Sequence, residues 1–184
     1  MADPADIQRL IGDLIREGIV VAVDHAAGTA RVEFADDLVT GDIPWLAPRA
    51  GETRIWSPPS VGEQVVVLSP EADAARGIII GSLSSSAHPH PANDTSLLAA
   101  FADRANIGYD PVTHSLTVVL PADARITIVA DGGASWQGDL AVDGAITATE
   151  TITAARDVIG GGKSLKDHVH TRVQSGNSMS GPPQ

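Results

Sequence analysis

The 184-residue chain carries 12 lysine and arginine residues against 23 aspartate and glutamate residues, a formal net charge of −11. Because nucleic acids and anionic membranes are bound by concentrated basic side chains, this balance disfavours both as partners. The chain has no cysteine, which excludes disulfides and thiolate catalysis. Its start, Met1-Ala2-Asp3-Pro4, lacks signal-peptide features, and no apolar run approaches the ~18 residues of a membrane span, so we expect synthesis in the cytoplasm.

Apolar residues near the N-terminus recur at intervals of three and four, which is the spacing of one helix face. Pro4 stands near the start of this pattern and Gly18 follows its end. The pattern predicts a short amphipathic helix within residues 1–17 that Gly18 ends. The apolar stripe consists of Ile7, Leu10, Ile11, Leu14 and Ile15.

Residues 18–83 carry short alternating apolar segments separated by turn-forming residues, among them a hairpin turn at Ala26-Ala27-Gly28. Five short strands in this interval predict a small barrel of the OB-fold type. OB-folds often bind oligonucleotides, but this segment lacks a basic groove with stacking aromatic side chains. We therefore expect no nucleic-acid partner.

Residues 84–100 are rich in serine and then in proline, which predicts an exposed linker. His88 and His90 form a His-x-His pair here, but the surrounding prolines favour a connector over a metal site. Residues 101–109 lead into the next segment.

Two registers of apolar residues repeat every six positions in the following segment, which we assign to 101–162. A period of two inside a period of six predicts short strands with a corner every six residues. Gly132, Gly138 and Gly144 recur at the corner step. The first register is Leu116, Ala122, Ile128, Ala134, Leu140, Ile146, Ile152 and Val158, and the second is Val118, Ala124, Ala130, Trp136, Val142, Ala148, Ala154 and Gly160.

A single chain with this pattern offers too narrow an apolar stripe to build its own core. Three identical chains wound around one axis would pool their stripes into a continuous interior and pair their strands with one another. Eight stacked hexads, at ~4.8 Å per strand, predict an intertwined trimeric β-helix needle about 40 Å long.

Two other folds carry a related repeat. One is an ordinary antiparallel β domain whose turns fall every six residues. The other is the single-chain left-handed β-helix of hexapeptide acyltransferases, in which a small residue precedes the large aliphatic one by two positions. Here the order is reversed, with Ile146 before Ala148, and no histidine lies among the hexads to serve as a general base. We favour the trimer and expect no enzyme, with an acyltransferase-like enzyme as the alternative.

Residues 163–184 form the predicted apex, where His168 and His170 are separated by one residue. Side chains two positions apart point to the same side of an extended chain. Three chains around an axis would bring six imidazoles together, an octahedral set that suits iron or nickel better than four-coordinate zinc. Such a site leaves no open position for a substrate, so the predicted metal is structural.

The chain resembles the baseplate assembly protein V family, the central spikes of contractile-tailed phages and of phage-tail-like bacteriocins. In the barrel the resemblance rests on Pro44-Trp45, on residues 57–65 and on residues 77–81. Beyond the barrel it rests on the hexads and on Ser164-Leu165-Lys166-Asp167-His168-Val169-His170. Type VI secretion tip proteins, which have a larger N-terminal hub, are also similar and are a second alternative.

The resemblance implies an all-β homotrimer that pierces the target cell's outer membrane when the tail sheath contracts. It implies attachment to the baseplate hub and other tail proteins through the OB domain, a location in the virion, and no small-molecule substrate. It also implies one iron ion per trimer, held by His168 and His170 of the three chains. Phage and bacteriocin remain alternatives at this point.

Overall fold

The computed structural model describes residues 3–168 and Gly176. Its contacts divide the chain into two units, Met1–Thr127 and Ile128–Gln184. Within the described residues, the first unit contains an α-helix, two sheets and two short 3-10 helices, Pro70–Ala72 and Ala74–Arg76, and the second contains a short hairpin. None of the described helices is both long and apolar enough to cross a membrane.

Helix α1 spans Pro4–Leu14. Asp3 caps its N-terminus, since the Asp3 carboxylate accepts a hydrogen bond from the backbone amide two residues later, at 3.1 Å. The predicted helix is confirmed, but its predicted end is wrong. The chain becomes extended at Ile15, and Gly18 lies inside the first strand rather than at the end of the helix.

Five strands follow the helix and form one antiparallel sheet, which confirms the predicted number of strands. They are β1 Ile15–Asp24, β2 Thr29–Phe34, β3 Ile43–Pro44, β4 Gln64–Leu68 and β5 Ile78–Leu83. Their order across the sheet is β3-β2-β1-β4-β5. The sheet curls until its two edges meet, because Trp45, just after β3, bridges Ile79 of β5, and the Leu46 amide donates to the Ile79 carbonyl at 2.8 Å.

The inner face of this curled sheet carries the hydrophobic core. On β2 and β4, inward and outward side chains alternate along the strand, as the two-residue period of a β-strand requires. Burial of these apolar side chains is the main force that holds the curled sheet together. The buried members are Val20, Ala30, Val32, Phe34, Ile43, Val65, Val67 and Ile79.

A second antiparallel sheet follows the barrel and was not predicted from the sequence. Its strands, β6 Leu97–Ala100, β7 Asn106–Asp110 and β8 Ser115–Val119, pair in chain order. The predicted linker, 84–100, therefore ends in a strand. The first members of both hexad registers lie in β8, where they pair within their own chain.

Residues 120–158, all of which the structure describes, contain no strand. The next strands, β9 Ile159–Gly160 and β10 Lys163–Ser164, form an antiparallel hairpin of their own. Residues 120–158, which carry most of the hexads, therefore make no strand ladder within a single chain. The predicted intertwined needle requires other copies of the chain, so it stays a prediction in the structure of a single chain.

Gly18 is required by a close approach of strands β1 and β2. A Cβ atom at this position would lie 2.5 Å from the Val32 Cγ1 atom and 2.7 Å from the Glu33 carbonyl oxygen. Both distances are shorter than van der Waals contact, and the second involves backbone that cannot rotate away. We expect Gly18→Ala to lower the free energy of unfolding of the barrel by about 1–3 kcal/mol, as overpacking does.

Gly81→Ala in β5 is the matched control, because a Cβ atom there would meet no heavy atom within 4 Å. Its effect should stay within about 1 kcal/mol. Urea unfolding followed by far-UV circular dichroism measures both variants. Equal stability of the two variants would contradict the steric role of Gly18.

Candidate functional site

The hexad stripe is exposed along the described part of the chain. The large aliphatic residues of the first register, Ile128, Leu140, Ile146 and Ile152, are 66 to 80% exposed, and Trp136 of the second is 71% exposed. Exposure of so many large apolar side chains at a regular interval is not expected of a surface that faces water in the assembled protein. The stripe is therefore a candidate interaction surface.

Two of the predicted corner glycines adopt backbone conformations that favour glycine. Gly138 has a φ of 122° and Gly144 has a φ of 148°. An L-residue with a Cβ atom rarely adopts such angles, so these positions require glycine for the bend. Gly132, the first predicted corner, has no positive φ, but its neighbour Gly133 does, at 84°.

The hairpin formed by β9 and β10 lies at the end of the hexads. Gly161 and Gly162 connect its strands with φ angles of 56° and 78°, the positive values that a two-residue type I′ turn needs at both positions. The Leu165 amide then donates to the Val158 carbonyl at 2.8 Å, which extends the contact beyond the two strands.

Asp157, two residues before β9, stabilises this hairpin through hydrogen bonds to backbone amides on both sides of it. Its carboxylate accepts hydrogen bonds from the backbone amides of Val158 at 2.8 Å and Lys166 at 3.2 Å. Hydrogen bonding, led by the Ser164 side chain, lowers the pKa of Asp157 below its ordinary value. Sequence reasoning missed Asp157, because its partners lie up to nine residues further along the chain.

His168 lies four residues beyond β10 and is exposed. Its Nδ1 atom is 3.1 Å from the Leu165 carbonyl oxygen. When Nδ1 carries the proton and donates to that carbonyl, Nε2 is the ring nitrogen with the lone pair. Metal-ligating histidines are commonly oriented through such a bond to a backbone carbonyl, so this geometry suits a ligand role. The other predicted ligand, His170, lies outside the described residues.

The linker histidines have local partners. His90 Nδ1 lies 2.9 Å from the Ser84 hydroxyl, and the His88 amide donates to the Ser85 hydroxyl at 3.2 Å. Both histidines are exposed. Across residues 3–168 and Gly176, no group of three or more histidine, cysteine, aspartate or glutamate residues is arranged to hold a metal ion within one chain.

The hydrogen bonds of Asp157 predict that the hairpin weakens in acid. A carboxylate whose pKa is lowered on folding stabilises the folded form above its unfolded pKa, and this contribution disappears as the pH falls through the lowered value. Hydrogen–deuterium exchange of residues 157–167, corrected for intrinsic rates, should therefore be faster at about pH 3 than at about pH 5.

Asp157→Asn is the control for this prediction, because the amide retains an acceptor oxygen but does not titrate in this range. The variant should lose the difference between the two pH values. An unchanged difference would assign the acid sensitivity to another group.

Comparison with known proteins identifies the barrel. Residues 16–83 match the model of the family described as the type VI secretion system/phage-baseplate injector OB domain. This interval spans β1 to β5 and includes all eight members of the buried core. The curled five-stranded sheet is thus an OB domain of the injector type, as the sequence predicted.

A longer similarity extends beyond the barrel. The chain is 34% identical over 128 residues to the spike protein of Escherichia phage P2, a match that covers 69% of this chain and 60% of the relative. The chain therefore spans less than two thirds of the length of that relative. Residues 16–83 therefore match an injector OB domain of the type VI secretion and phage-baseplate family, and the longer match makes the chain similar to the P2 spike protein.

Proposed function

We propose that the chain is the central spike of a contractile-tail baseplate, a homotrimer that acts mechanically and has no catalytic role. The observation that carries this proposal is the regular stripe of exposed aliphatic side chains in a homologue of a phage spike protein. A type VI secretion-type tip protein is the alternative within the same family, since the family description of the OB domain includes both systems.

Three chains account for the exposed stripe. Each hexad offers about two apolar side chains, which is too little to support a β-structure alone. Around a shared axis, the stripes of three chains face one another, and the backbone groups of residues 120–158 pair between chains. Gly138 and Gly144 permit the bends between successive short strands.

A needle of this construction resists lateral and axial load. Its strands are hydrogen-bonded across chains, so no single chain can bend or leave without breaking bonds to the other two. Sheath contraction then drives the trimer through the outer membrane of the target cell. This action needs stiffness and a narrow tip rather than a reactive group. A protein with this role is a component of the tail baseplate of the virion.

The N-terminal domain connects the needle to the remainder of the baseplate. Helix α1 exposes the apolar residues Ile7, Leu10 and Ile11, which line a groove together with Leu14 and Glu71. An amphipathic helix whose apolar face remains exposed is a common contact surface for another protein. We assign this face to the baseplate hub and other tail proteins.

We further propose that His168 and His170 of three chains hold one structural iron ion at the apex. The hydrogen bond of His168 to the Leu165 carbonyl fits a ligand that presents Nε2. The bound ion would supply six coordinate bonds that join the three chain ends. The hairpin with Asp157 positions His168, and the side chain of His170, two residues later in the sequence, completes the pair.

The trimer predicts different effects for two neighbouring substitutions. Ile146→Asp would place three carboxylates at the axis of a dry interior, where unpaired charge is strongly destabilising. Heat- and detergent-resistant trimers should disappear, as measured by unheated gel electrophoresis and sedimentation velocity.

Thr147→Asp is the matched control, since it adds the same charge on the outward side of the same strand. It should leave the resistant trimer intact. Equal behaviour of the two variants would refute the assignment of inside and outside, and a monomeric wild-type chain would refute the trimer itself.

The proposed tip predicts about one iron ion per three chains in protein purified without a chelator or a histidine tag. Replacing both His168 and His170 with alanine should remove the metal and increase hydrogen exchange at residues 163–168. The needle should remain trimeric, because the upstream hexads bury their own apolar stripes. Elemental analysis measures the stoichiometry, and one metal ion per chain, or none, would contradict a shared six-histidine site.

A further inference from the structure

The sheet formed by β6, β7 and β8 has one predominantly apolar face, on which every side chain is aliphatic except that of Tyr109. Directly paired residues on antiparallel strands share a face, as do residues two positions apart on one strand. The strand registers therefore place two cross-strand rows on the same side. These rows are Leu97, Tyr109 and Leu116, followed by Ala99, Ile107 and Val118.

This apolar face is exposed in the single chain, whereas the opposite face is more polar. Leu97 is 77% exposed and Leu116 is 72% exposed, and the central Ile107 is 44% exposed. The opposite face carries four polar residues, Asn106, Asp110, Ser115 and Thr117, together with Leu98, Ala100, Gly108 and Val119. A contiguous exposed apolar surface of this kind commonly marks an interaction site, so this face is a candidate for contact with a partner.

The sequence indicates which partner covers it. Leu116 and Val118 belong to the apolar face and are also the first members of the two hexad registers. The face therefore continues, along the chain, the stripe assigned above to the three-fold axis. The partner that this continuity favours is the same face of two further copies of the chain.

We propose that the apolar faces of three such sheets pack around the axis as a collar, which sets the register of the three chains. This inference rests on the proposed trimer. From Leu140 onward, the first register carries Leu140, Ile146, Ile152 and Val158, so a slip of six residues in this part would exchange one aliphatic side chain for another of similar size. The sheet does not repeat, and its hydrogen bonds lie within one chain, so each copy can form it before association. Packing of the collar would then align the chains before the hexads pair.

Two neighbouring alanines test whether the face is covered. Ala99 lies on the apolar face and Ala100 on the opposite one, and both are exposed in the single chain. The natural chain contains no cysteine, so Ala99→Cys and Ala100→Cys each introduce a single thiol. In the purified full chain, a maleimide should modify Cys at position 99 at least about tenfold more slowly than at position 100, because access limits thiol reactivity.

The outcome separates the collar from the trimer. A trimer in which both thiols react at the same rate would overturn the collar and leave the proposed spike intact. A monomeric chain would overturn both proposals. Shielding of position 99 that arises only after another tail protein is added would assign the face to that protein and would likewise overturn the collar.

Refolding tests the register role. Leu97→Asp adds a charge to the apolar face outside the hexad registers, and Ala100→Asp adds the same charge to the opposite face of the same strand. After dilution from denaturant, Leu97→Asp should form resistant trimers at least about threefold more slowly than Ala100→Asp, since a buried charge opposes packing of the collar. Equal refolding rates would overturn the alignment role.

Discussion

The large aliphatic side chains of the hexads in residues 120–158 lie exposed in their own chain, and much of the proposed organisation depends on this constraint. Val20 and Val32 of the barrel are fully buried within one chain, whereas Ile146 and Ile152 lie exposed on a segment without strands. For these residues, the hydrophobic contribution to folding becomes available only on association. Folding of the proposed needle is therefore coupled to assembly, and its stability depends on the protein concentration.

The barrel could be predicted from the sequence because its strands alternate and its turns contain glycine and proline. The end of the helix could not, since a glycine after an apolar helical stripe is typical of a C-terminal cap. What Gly18 provides is space beside Val32 and the Glu33 carbonyl, and that requirement arises only when β1 and β2 meet. A tertiary constraint of this kind leaves no local signal.

Strand β6 was missed for a different reason. Its sequence, Leu97-Leu98-Ala99-Ala100, shows no alternation, and it follows a stretch rich in serine and proline. Asp157 was missed because its role depends on amides that the hairpin brings back toward it. The hexad stripe was visible because a period of six is expressed at every repeat. The sequence therefore indicated the surface that we propose to pack against other chains more clearly than some contacts within one chain.

The described segments differ in how much each depends on other chains. The barrel closes its own hydrogen-bond ladder and buries its own core. The second sheet closes its ladder but leaves one apolar face exposed, and residues 120–158 form no ladder and bury none of their large aliphatic side chains. At the tip, the hairpin closes a short ladder again, and Asp157 ties its two ends together before His168. Because the hairpin is already ordered, less conformational entropy would be lost when the side chain of His168 is fixed by the proposed metal. The proposed metal site would need the other chains, whereas the hydrogen bond that orients His168 lies within one chain.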